Sequence, residues 1–86
     1  MYYVYVLLSL KDDKFYTGFT SDLKKRVSRH KEGKVTATKY RLPLKLVYYE
    51  ACLERRDAIK REIYLKSAWG KRYIKRRIAG YLKEPQ

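Results

Sequence analysis

The amino terminus of the chain is an apolar run that is typical of a β-strand. Residues 2–8 read YYVYVLL, rich in the aromatic and β-branched types that favour strands. Residues 11–14 (KDDK) predict a polar turn, and residues 15–19 (FYTGF) predict a second short strand. The two strands are therefore expected to pair as an antiparallel hairpin. Such pairing would bring Tyr5 and Tyr16 to neighbouring positions.

A helix is predicted to follow the hairpin. Residues 20–22 (TSD) offer N-cap chemistry, and Leu23 and Val27 give an apolar stripe at i, i+4. Gly33 is expected to end this helix, because glycine commonly follows a last helical turn. Residues 34–43 then predict a basic loop.

The second half of the chain predicts one strand and two helices. Residues 44–52 (LKLVYYEAC) are strand-like, a helical pattern runs from residue 54 to about residue 68, and residues 69–70 (WG) interrupt it. A last helix is expected to end at Gly80 or Pro85. The order β-β-α-β-α-α predicts an α+β fold in which helices flank a small three-stranded antiparallel sheet.

Composition limits the partners and the compartment. Eighty-six residues leave room for one domain, residues 1–86. Twenty-two Lys and Arg against nine acidic residues give a formal net charge of +13, which attracts polyanions such as nucleic acids. The single cysteine, Cys52, excludes an internal disulfide and fits a reducing cytoplasm. Residues 2–10 are too short to span a bilayer, so no membrane partner is expected.

Five side chains that are distant in sequence have the chemistry of phosphodiester cleavage. Tyr5 and Tyr16 are phenols, which a neighbouring cation helps to ionise. Arg26 and His30 lie four residues apart, so a helix presents the guanidinium and the imidazole in the same direction. A guanidinium grips phosphate, and an imidazole transfers protons near neutral pH. Glu62, on the second predicted helix, is a carboxylate suited to Mg²⁺.

This array resembles the catalytic pattern of the GIY-YIG nuclease superfamily, and in particular its small standalone members. The resemblance rests on the triplets at 3–5 (YVY) and 16–18 (YTG), on the register of the helix residues after them, and on segment 60–62 (KRE). It covers roughly residues 2–78. Tyr3 stands where the family name has glycine. The chain also contains no asparagine, although some members use one late in the domain.

The resemblance implies a role for each residue. Tyr5, with help from His30, activates the attacking water. Tyr16 and Arg26 bind the phosphate, and Glu62 holds a single Mg²⁺ or Mn²⁺. A two-metal scheme is not expected, because no second carboxylate is an obvious ligand. The residues expected to bind substrate around the cleft are Gly18, Lys34, Lys39, Arg41, Lys71 and Arg72.

The expected activity is that of a divalent-metal-dependent endonuclease or nickase. DNA, favoured over RNA, is the expected substrate, in branched or damaged form as in DNA repair, with little sequence preference. Two other functions stay open: a non-catalytic nucleic-acid-binding domain, and a basic module that docks on ribosomes or a partner protein. Glu62 has the alternative role of pairing with Lys66 on the helix surface. Trp69 and Tyr73 are expected to pack between helices, with base stacking as the alternative.

Overall fold

The structure, a computed structural model, describes residues 1–83. In chain order, the elements are β1 (Tyr2–Ser9), β2 (Phe15–Thr20), α1 (Leu23–Lys31), β3 (Leu44–Cys52), α2 (Arg55–Lys66), α3 (Ala68–Arg77) and α4 (Ala79–Lys83). The α+β class and the three-stranded antiparallel sheet are confirmed. The observed order has one more short helix at its end than the sequence predicted.

β1 is the central strand of the sheet. It pairs antiparallel with β2 on one side and with β3 on the other, in the order β2-β1-β3. The predicted hairpin is confirmed, and its register places Tyr5 opposite Gly18 and Leu7 opposite Tyr16. Tyr5 and Tyr16 are therefore diagonal neighbours on the same face of the sheet, as the sequence predicted.

Side chains alternate along β1, which gives the sheet two faces of different character. Val4 and Val6 are fully buried and pack against α2 and α3. Tyr5 and Leu7 are buried on the other side and pack against α1. We call the side that carries Val4 and Val6 the apolar face, and the side that carries Tyr5 and Leu7 the tyrosine face.

Both ends of α1 are fixed by local hydrogen bonds. The side chain of Asp22 accepts from the backbone N–H of Lys25 at 3.1 Å, which caps the first turn. Gly33 follows the helix with a φ of 76°, and its N–H donates to the carbonyl of His30 at 3.0 Å. The predicted start and end of this helix are confirmed. Fixed ends set the direction in which Arg26 and His30 project from α1.

The junction between α2 and α3 differs from the sequence prediction. The helix breaks at Ser67, whose hydroxyl accepts from the N–H of Gly70 at 3.1 Å and so caps α3. The predicted break at Trp69-Gly70 is wrong, because both residues lie inside α3. A Cβ on Gly70 would lie 2.7 Å from the carbonyl carbon of Leu65. This glycine therefore permits close packing of two helices rather than ending one.

The carboxyl-terminal helix is also divided. Ile78 leaves the helical region, with φ −111° and ψ 27°, and separates α3 from α4. Gly80 was predicted as a terminator but lies within α4, and Pro85 lies outside the described residues. Within residues 1–83, every helix is too short or too polar to cross a membrane.

Candidate active site on the tyrosine face

Tyr5 and His30 form the centre of the candidate site. Their side chains are 1% and 0% exposed, and the Tyr5 hydroxyl lies 2.8 Å from Nε2 of His30. The two rings meet edge-on, with their centroids 5.5 Å apart. Since β1 carries Tyr5 and the last turn of α1 carries His30, this contact joins the first strand to the first helix.

The other imidazole nitrogen is also engaged. Nδ1 of His30 lies 2.7 Å from Oγ1 of Thr38, a fully buried residue in the loop between α1 and β3. Tyr5, His30 and Thr38 therefore form a buried chain of hydrogen bonds. Among the described residues, every buried side-chain nitrogen and oxygen has a hydrogen-bond partner, as expected for polar groups in a stable interior.

Tyr16 and Arg26 complete the surroundings of the imidazole. The Tyr16 ring packs on His30 with a centroid distance of 5.1 Å. Arg26 lies one helical turn before His30 on α1, and its guanidinium is close enough to the Tyr5 hydroxyl to affect the ionisation of the phenol. The diagonal pairing in the hairpin and the i, i+4 spacing on the helix thus bring four predicted site residues together.

Burial and the Arg26 charge determine the protonation states at the centre of the site. Burial raises the pKa of the Tyr5 phenol above its ordinary value, while the Arg26 guanidinium acts in the opposite direction. Burial, and to a smaller extent the Arg26 charge, together lower the pKa of the His30 imidazole to about 4. At neutral pH the pair is therefore a neutral phenol beside a neutral imidazole, between which a proton can pass.

Glu62 reaches the site from α2, a helix that packs on the apolar face and also contacts β2 at the edge of the sheet. Its side chain is only 19% exposed, and its carboxylate pairs with Nζ of Lys66 at 3.2 Å. Its negative charge is near enough to raise the pKa of Tyr5. The ion pair with Lys66, one of the two interpretations of Glu62 in the sequence, is present in the structure, and the metal-binding role stays a prediction.

Gly18 leaves room for the Tyr5 side chain. A Cβ at position 18 would overlap the Tyr5 hydroxyl and lie 2.6 Å from Cζ of that ring. The sequence predicted a contact of Gly18 with substrate, whereas in the structure the Tyr5 ring fills the space beside it. Glycine is required here by the site itself, and its contact with substrate stays a prediction.

The donors present suit a weakly held hard cation. Within residues 1–83, no cluster of three or more His, Cys, Asp and Glu side chains is placed to hold a metal. Mg²⁺ commonly binds through one or two carboxylates and takes its other oxygens from water and substrate phosphate. A single carboxylate, Glu62, whose charge acts on the Tyr5 phenol, fits that pattern, and it does not fit a closed structural metal site.

Comparison with known proteins identifies the domain. A family model described as the GIY-YIG catalytic domain matches residues 1–77. The chain belongs to the GIY-YIG family. The resemblance found in the sequence is thereby confirmed, and the family gives the chain a catalytic domain of the nuclease type.

Bacterial relatives extend the match over most of the chain. A UPF0213 protein of Lacticaseibacillus paracasei is 46% identical over 66 residues, covering 76% of this chain and 73% of the relative. One of Clostridium perfringens is 45% identical over 67 residues, covering 77% and 71%. The solution NMR structure of a UPF0213 protein from Bacillus halodurans has 33% identity and a TM-score of 0.53, covering 96% of this chain and 86% of that one.

The basic residues predicted to bind substrate lie on two segments of the GIY-YIG domain, and Arg41 and Lys71 from these segments line one cavity. Lys34, Lys39 and Arg41 belong to the loop that also carries Thr38, so they lie beyond the end of α1. Lys71 and Arg72 belong to α3, which packs on the apolar face. The sheet therefore separates the α3 pair from the tyrosine site.

Two of the three loop residues already have acidic partners. Nζ of Lys34 lies 3.2 Å from the carboxylate of Glu32. Arg41 Nε donates to Asp12 at 2.8 Å, which holds the pKa of that carboxyl at about 2. Arg41 therefore ties the loop to the β1–β2 turn. Phosphate contacts by the loop and α3 residues stay predictions.

The two aromatic residues of α3 have different environments. Trp69 is 69% exposed and has the Arg72 guanidinium 4.5 Å from its ring centroid, so the predicted packing between helices is wrong for Trp69. Tyr73 is partly buried against the apolar core, and the Arg61 guanidinium lies 4.9 Å from its centroid. The packing prediction is confirmed for Tyr73.

Two polar contacts, one within the site and one at the residue next to Glu62, were not predicted from sequence. Thr38 lies in a loop without periodicity, so nothing distinguished it from solvated threonines. Arg61, the neighbour of Glu62, binds both carboxylate oxygens of Glu50 with distances of 2.9 to 3.0 Å. That bidentate pair fastens α2 to β3. An acid on a strand followed by an arginine on a helix is too common a pattern to have revealed it.

Proposed function

We propose that this GIY-YIG domain is a divalent-metal-dependent endonuclease that hydrolyses phosphodiester bonds of DNA with little sequence preference. The observation that supports it best is the hydrogen bond between Tyr5 and His30, surrounded by Tyr16, Arg26 and Glu62. Hydrolysis of a phosphodiester needs a proton acceptor for water, a cationic grip on the phosphate and a neutralising charge. Tyr5 with His30 is the candidate proton acceptor, Arg26 with Tyr16 the candidate phosphate-binding pair, and Glu62 the candidate ligand of the neutralising cation.

Tyr5 and His30 are proposed to activate the water. The phenol passes its proton to the imidazole and accepts one from the attacking water, whose oxygen then bonds to phosphorus. The low pKa of His30 alone would make the imidazole a weak acceptor. A bound phosphate would compensate the Arg26 charge, which is one of the two causes of that low pKa, and so improve the acceptor when substrate is present.

Arg26 and Tyr16 are proposed to hold the phosphate. A guanidinium binds two phosphate oxygens at once and stabilises the negative charge that grows on them in the pentavalent transition state. Tyr16, whose ring packs against His30, is proposed to donate a hydrogen bond from its hydroxyl to a phosphate oxygen. The two residues come from β2 and α1, so both sides of the cleft would contact the same group.

Glu62 is proposed to hold a single Mg²⁺ or Mn²⁺ ion, with water and phosphate oxygens as the other ligands. When bound, the cation would supply neutralising charge and polarise the phosphate. To bind the cation, Glu62 would exchange its present ion pair with Lys66, which lies on the exposed side of α2, for contacts to the metal. Lys66 would then remain beside the incoming phosphate.

The proposed substrate is branched or damaged DNA, in preference to RNA, in a cytoplasmic repair process. The formal net charge of +13 supports a polyanion, and binding is expected to weaken steeply with salt. The sequence has no zinc-knuckle or RNA-recognition motif, so recognition of shape is proposed instead of recognition of bases. Lys34 and Lys39 would extend the phosphate track beyond the cleft.

The test compares the wild type with Glu62→Gln and with a matched control, Glu32→Gln. Both glutamates pair with a lysine at 3.2 Å, but only Glu62 adjoins the tyrosine site. Supercoiled plasmid, duplex, single strand, flap and four-way junction are each incubated with Mg²⁺, Mn²⁺ or EDTA. Divalent-dependent cleavage by the wild type and Glu32→Gln, with loss in Glu62→Gln, is expected.

Other outcomes would point to the alternative functions. Equal cleavage by all three proteins would indicate a contaminating nuclease. Salt-sensitive binding without cleavage on any substrate would favour the non-catalytic nucleic-acid-binding domain. Absence of binding to naked nucleic acid would favour a module that docks on ribosomes or a partner protein.

A further inference from the structure

Thr38 joins the buried hydrogen-bonded chain from the basic loop between α1 and β3. Its side chain is fully buried, and Oγ1 lies 2.7 Å from Nδ1 of His30. The loop is anchored on both sides of this residue. Val35 is buried, and the hydroxyl of Ser9 on β1 donates to the carbonyl of Arg41 at 2.6 Å. The position of Thr38 is therefore set by the folded core.

A neutral imidazole has one N–H and one bare nitrogen, and two arrangements fit the chain. In the first, Tyr5 donates to Nε2 of His30 while Nδ1–H donates to Thr38. In the second, Thr38 donates to Nδ1 while Nε2–H donates to Tyr5. The distances of 2.8 and 2.7 Å suit both arrangements, so the surroundings of the two hydroxyls decide between them.

The Arg26 charge favours the first arrangement. Its guanidinium lies near the Tyr5 hydroxyl, and a guanidinium only donates hydrogen bonds. A cation attracts the lone pairs of the phenol oxygen and repels its proton, which turns the O–H towards His30. In the second arrangement the Tyr5 proton would face the Arg26 guanidinium, which is itself only a donor, in an almost fully buried place.

We propose that Thr38 is a positioning residue that holds His30 as the Nδ1–H tautomer, with Nε2 bare and directed at the Tyr5 hydroxyl. The catalytic part of this proposal rests on the proposed nuclease function. The tautomer is a property of the resting protein and does not depend on it. Thr38 contacts neither substrate nor water in this scheme and acts only through His30.

The tautomer determines the direction of proton transfer. One O–H bond of water breaks and its proton passes to the Tyr5 oxygen, while the Tyr5 proton passes to Nε2 of His30. The resulting hydroxide bonds to phosphorus as the bond to the leaving oxygen breaks, and that oxygen takes a proton from solvent. His30 holds two protons until it releases one, and Nδ1–H donates to Thr38 throughout. With the opposite tautomer, Nε2 would already carry a proton and could not accept another.

The decisive measurement is the ¹⁵N spectrum of labelled histidine at neutral pH. His30 is the sole histidine of the chain, so both side-chain nitrogen signals belong to it, and their couplings to the ring protons Hδ2 and Hε1 distinguish Nδ1 from Nε2. The wild type is expected to show a protonated Nδ1 and a bare Nε2. A protonated Nε2 would overturn the proposal, whatever the enzymatic activity of the protein.

Two variants test whether Thr38 is the cause. Thr38→Ser keeps the acceptor and is expected to keep the Nδ1–H tautomer. Thr38→Val keeps the shape without the acceptor, and a population with protonated Nε2 is expected to appear. An unchanged spectrum in Thr38→Val would show that Thr38 does not hold the tautomer. Thr38→Ala replaces it if the valine variant does not fold, as judged by its backbone amide spectrum.

Cleavage assays measure the catalytic consequence. Thr38→Val is expected to lower kcat by about 10- to 100-fold, as for residues that orient ligating histidines in metalloenzymes, and to leave KM nearly unchanged. Thr38→Ser is expected to recover most of the rate. The expected tautomer without cleavage by the wild type would reject the nuclease function alone. Normal cleavage by Thr38→Val with an altered tautomer would reject the positioning role.

Discussion

The two faces of the central sheet come from the same eight residues of β1 and differ in how they are filled. On the apolar face, Val4 and Val6 pack with aliphatic side chains of α2 and α3. On the tyrosine face, Tyr5 is equally buried but is bonded to His30, which is bonded in turn to Thr38. The apolar face is held by packing contacts, which depend little on direction. The tyrosine face is held by hydrogen bonds, which require particular distances and angles.

The difference suggests a division of labour between the faces. An apolar core tolerates changes of similar volume, and it stabilises the sheet from the side opposite the site. A buried polar chain loses stability whenever one partner is removed, because the other is left unpaired. We therefore expect substitutions on the apolar face to change the free energy of unfolding, and substitutions on the tyrosine face to change chemistry as well.

The largest expected effect is on the apolar face. Leu65→Ala removes a side chain that is 1% exposed and is expected to lower the free energy of unfolding by about 2–5 kcal/mol. Urea unfolding measures this loss, and the control Leu53→Ala, at a position that is 83% exposed, should stay within about 0.5 kcal/mol of the wild type. The His30 nitrogen signals should not change. A shift of those signals in Leu65→Ala would break the division between the faces.

Acid is expected to lower the free energy of unfolding through His30 on the tyrosine face. An ordinary histidine has a pKa of about 6.5, whereas burial and the Arg26 charge lower that of His30 to about 4. The unfolded chain therefore binds a proton below about pH 6.5 that the folded chain does not bind until about pH 4. The contribution is fully present above pH 6.5 and is lost as the pH falls to 4, by on the order of 3 kcal/mol.

Urea unfolding at several pH values measures this slope. His30→Gln is the control, because it removes the titrating group. The slope of the variant between pH 6.5 and 4 should be correspondingly smaller. Parallel curves for the two proteins would mean that other groups cause the acid sensitivity.

Alanine substitutions at two glycines are expected to change stability by smaller amounts and in opposite directions. Gly18→Ala places a Cβ against the Tyr5 ring and is expected to lower stability by about 1–3 kcal/mol, with loss of cleavage. Gly80→Ala meets no atom within 4 Å in α4, and is expected to raise stability by about 0.5–1 kcal/mol without changing activity. Thermal unfolding and the plasmid assay measure both. Full activity in Gly18→Ala would show that the Tyr5 ring need not occupy its present place.

The smallest expected effect on stability concerns Lys66. Its exposed ion pair with Glu62 should contribute less than about 0.5 kcal/mol, so unfolding of Lys66→Ala should match that of Lys60→Ala, an exposed neighbour on α2. Removing Lys66 also frees the carboxylate. The Mg²⁺ concentration for half-maximal cleavage is therefore expected to fall in Lys66→Ala and to stay unchanged in Lys60→Ala. An increase would indicate that Lys66 helps to bind the substrate.

Features that depend on neighbours in sequence were predictable. The turn and composition of the hairpin predicted the approach of Tyr5 to Tyr16, and the caps around residues 22 and 33 predicted α1. Arg26 and His30 then followed from helical spacing. The family resemblance supplied Glu62, which local patterns alone could not have placed beside Tyr5.

Features that depend on tertiary contact were not predictable. Gly70 was interpreted as a helix break, but its function is to let α3 pass the end of α2 near Leu65. Trp69 was expected to pack between helices, yet it is 69% exposed. The contact of Thr38 with His30 could not be predicted from sequence, because only the folded loop brings the Thr38 hydroxyl to the imidazole.

The arrival of Glu62 from α2 has a consequence for synthesis of the protein. A ribosome releases the chain from its amino terminus, so Tyr5, Tyr16, Arg26 and His30 all emerge before the carboxylate does. A nascent chain that has folded its hairpin and α1 would carry the proposed proton-transfer groups without the proposed metal ligand. The proposed cutting activity would therefore begin only when α2 docks, which places it late in the making of each molecule.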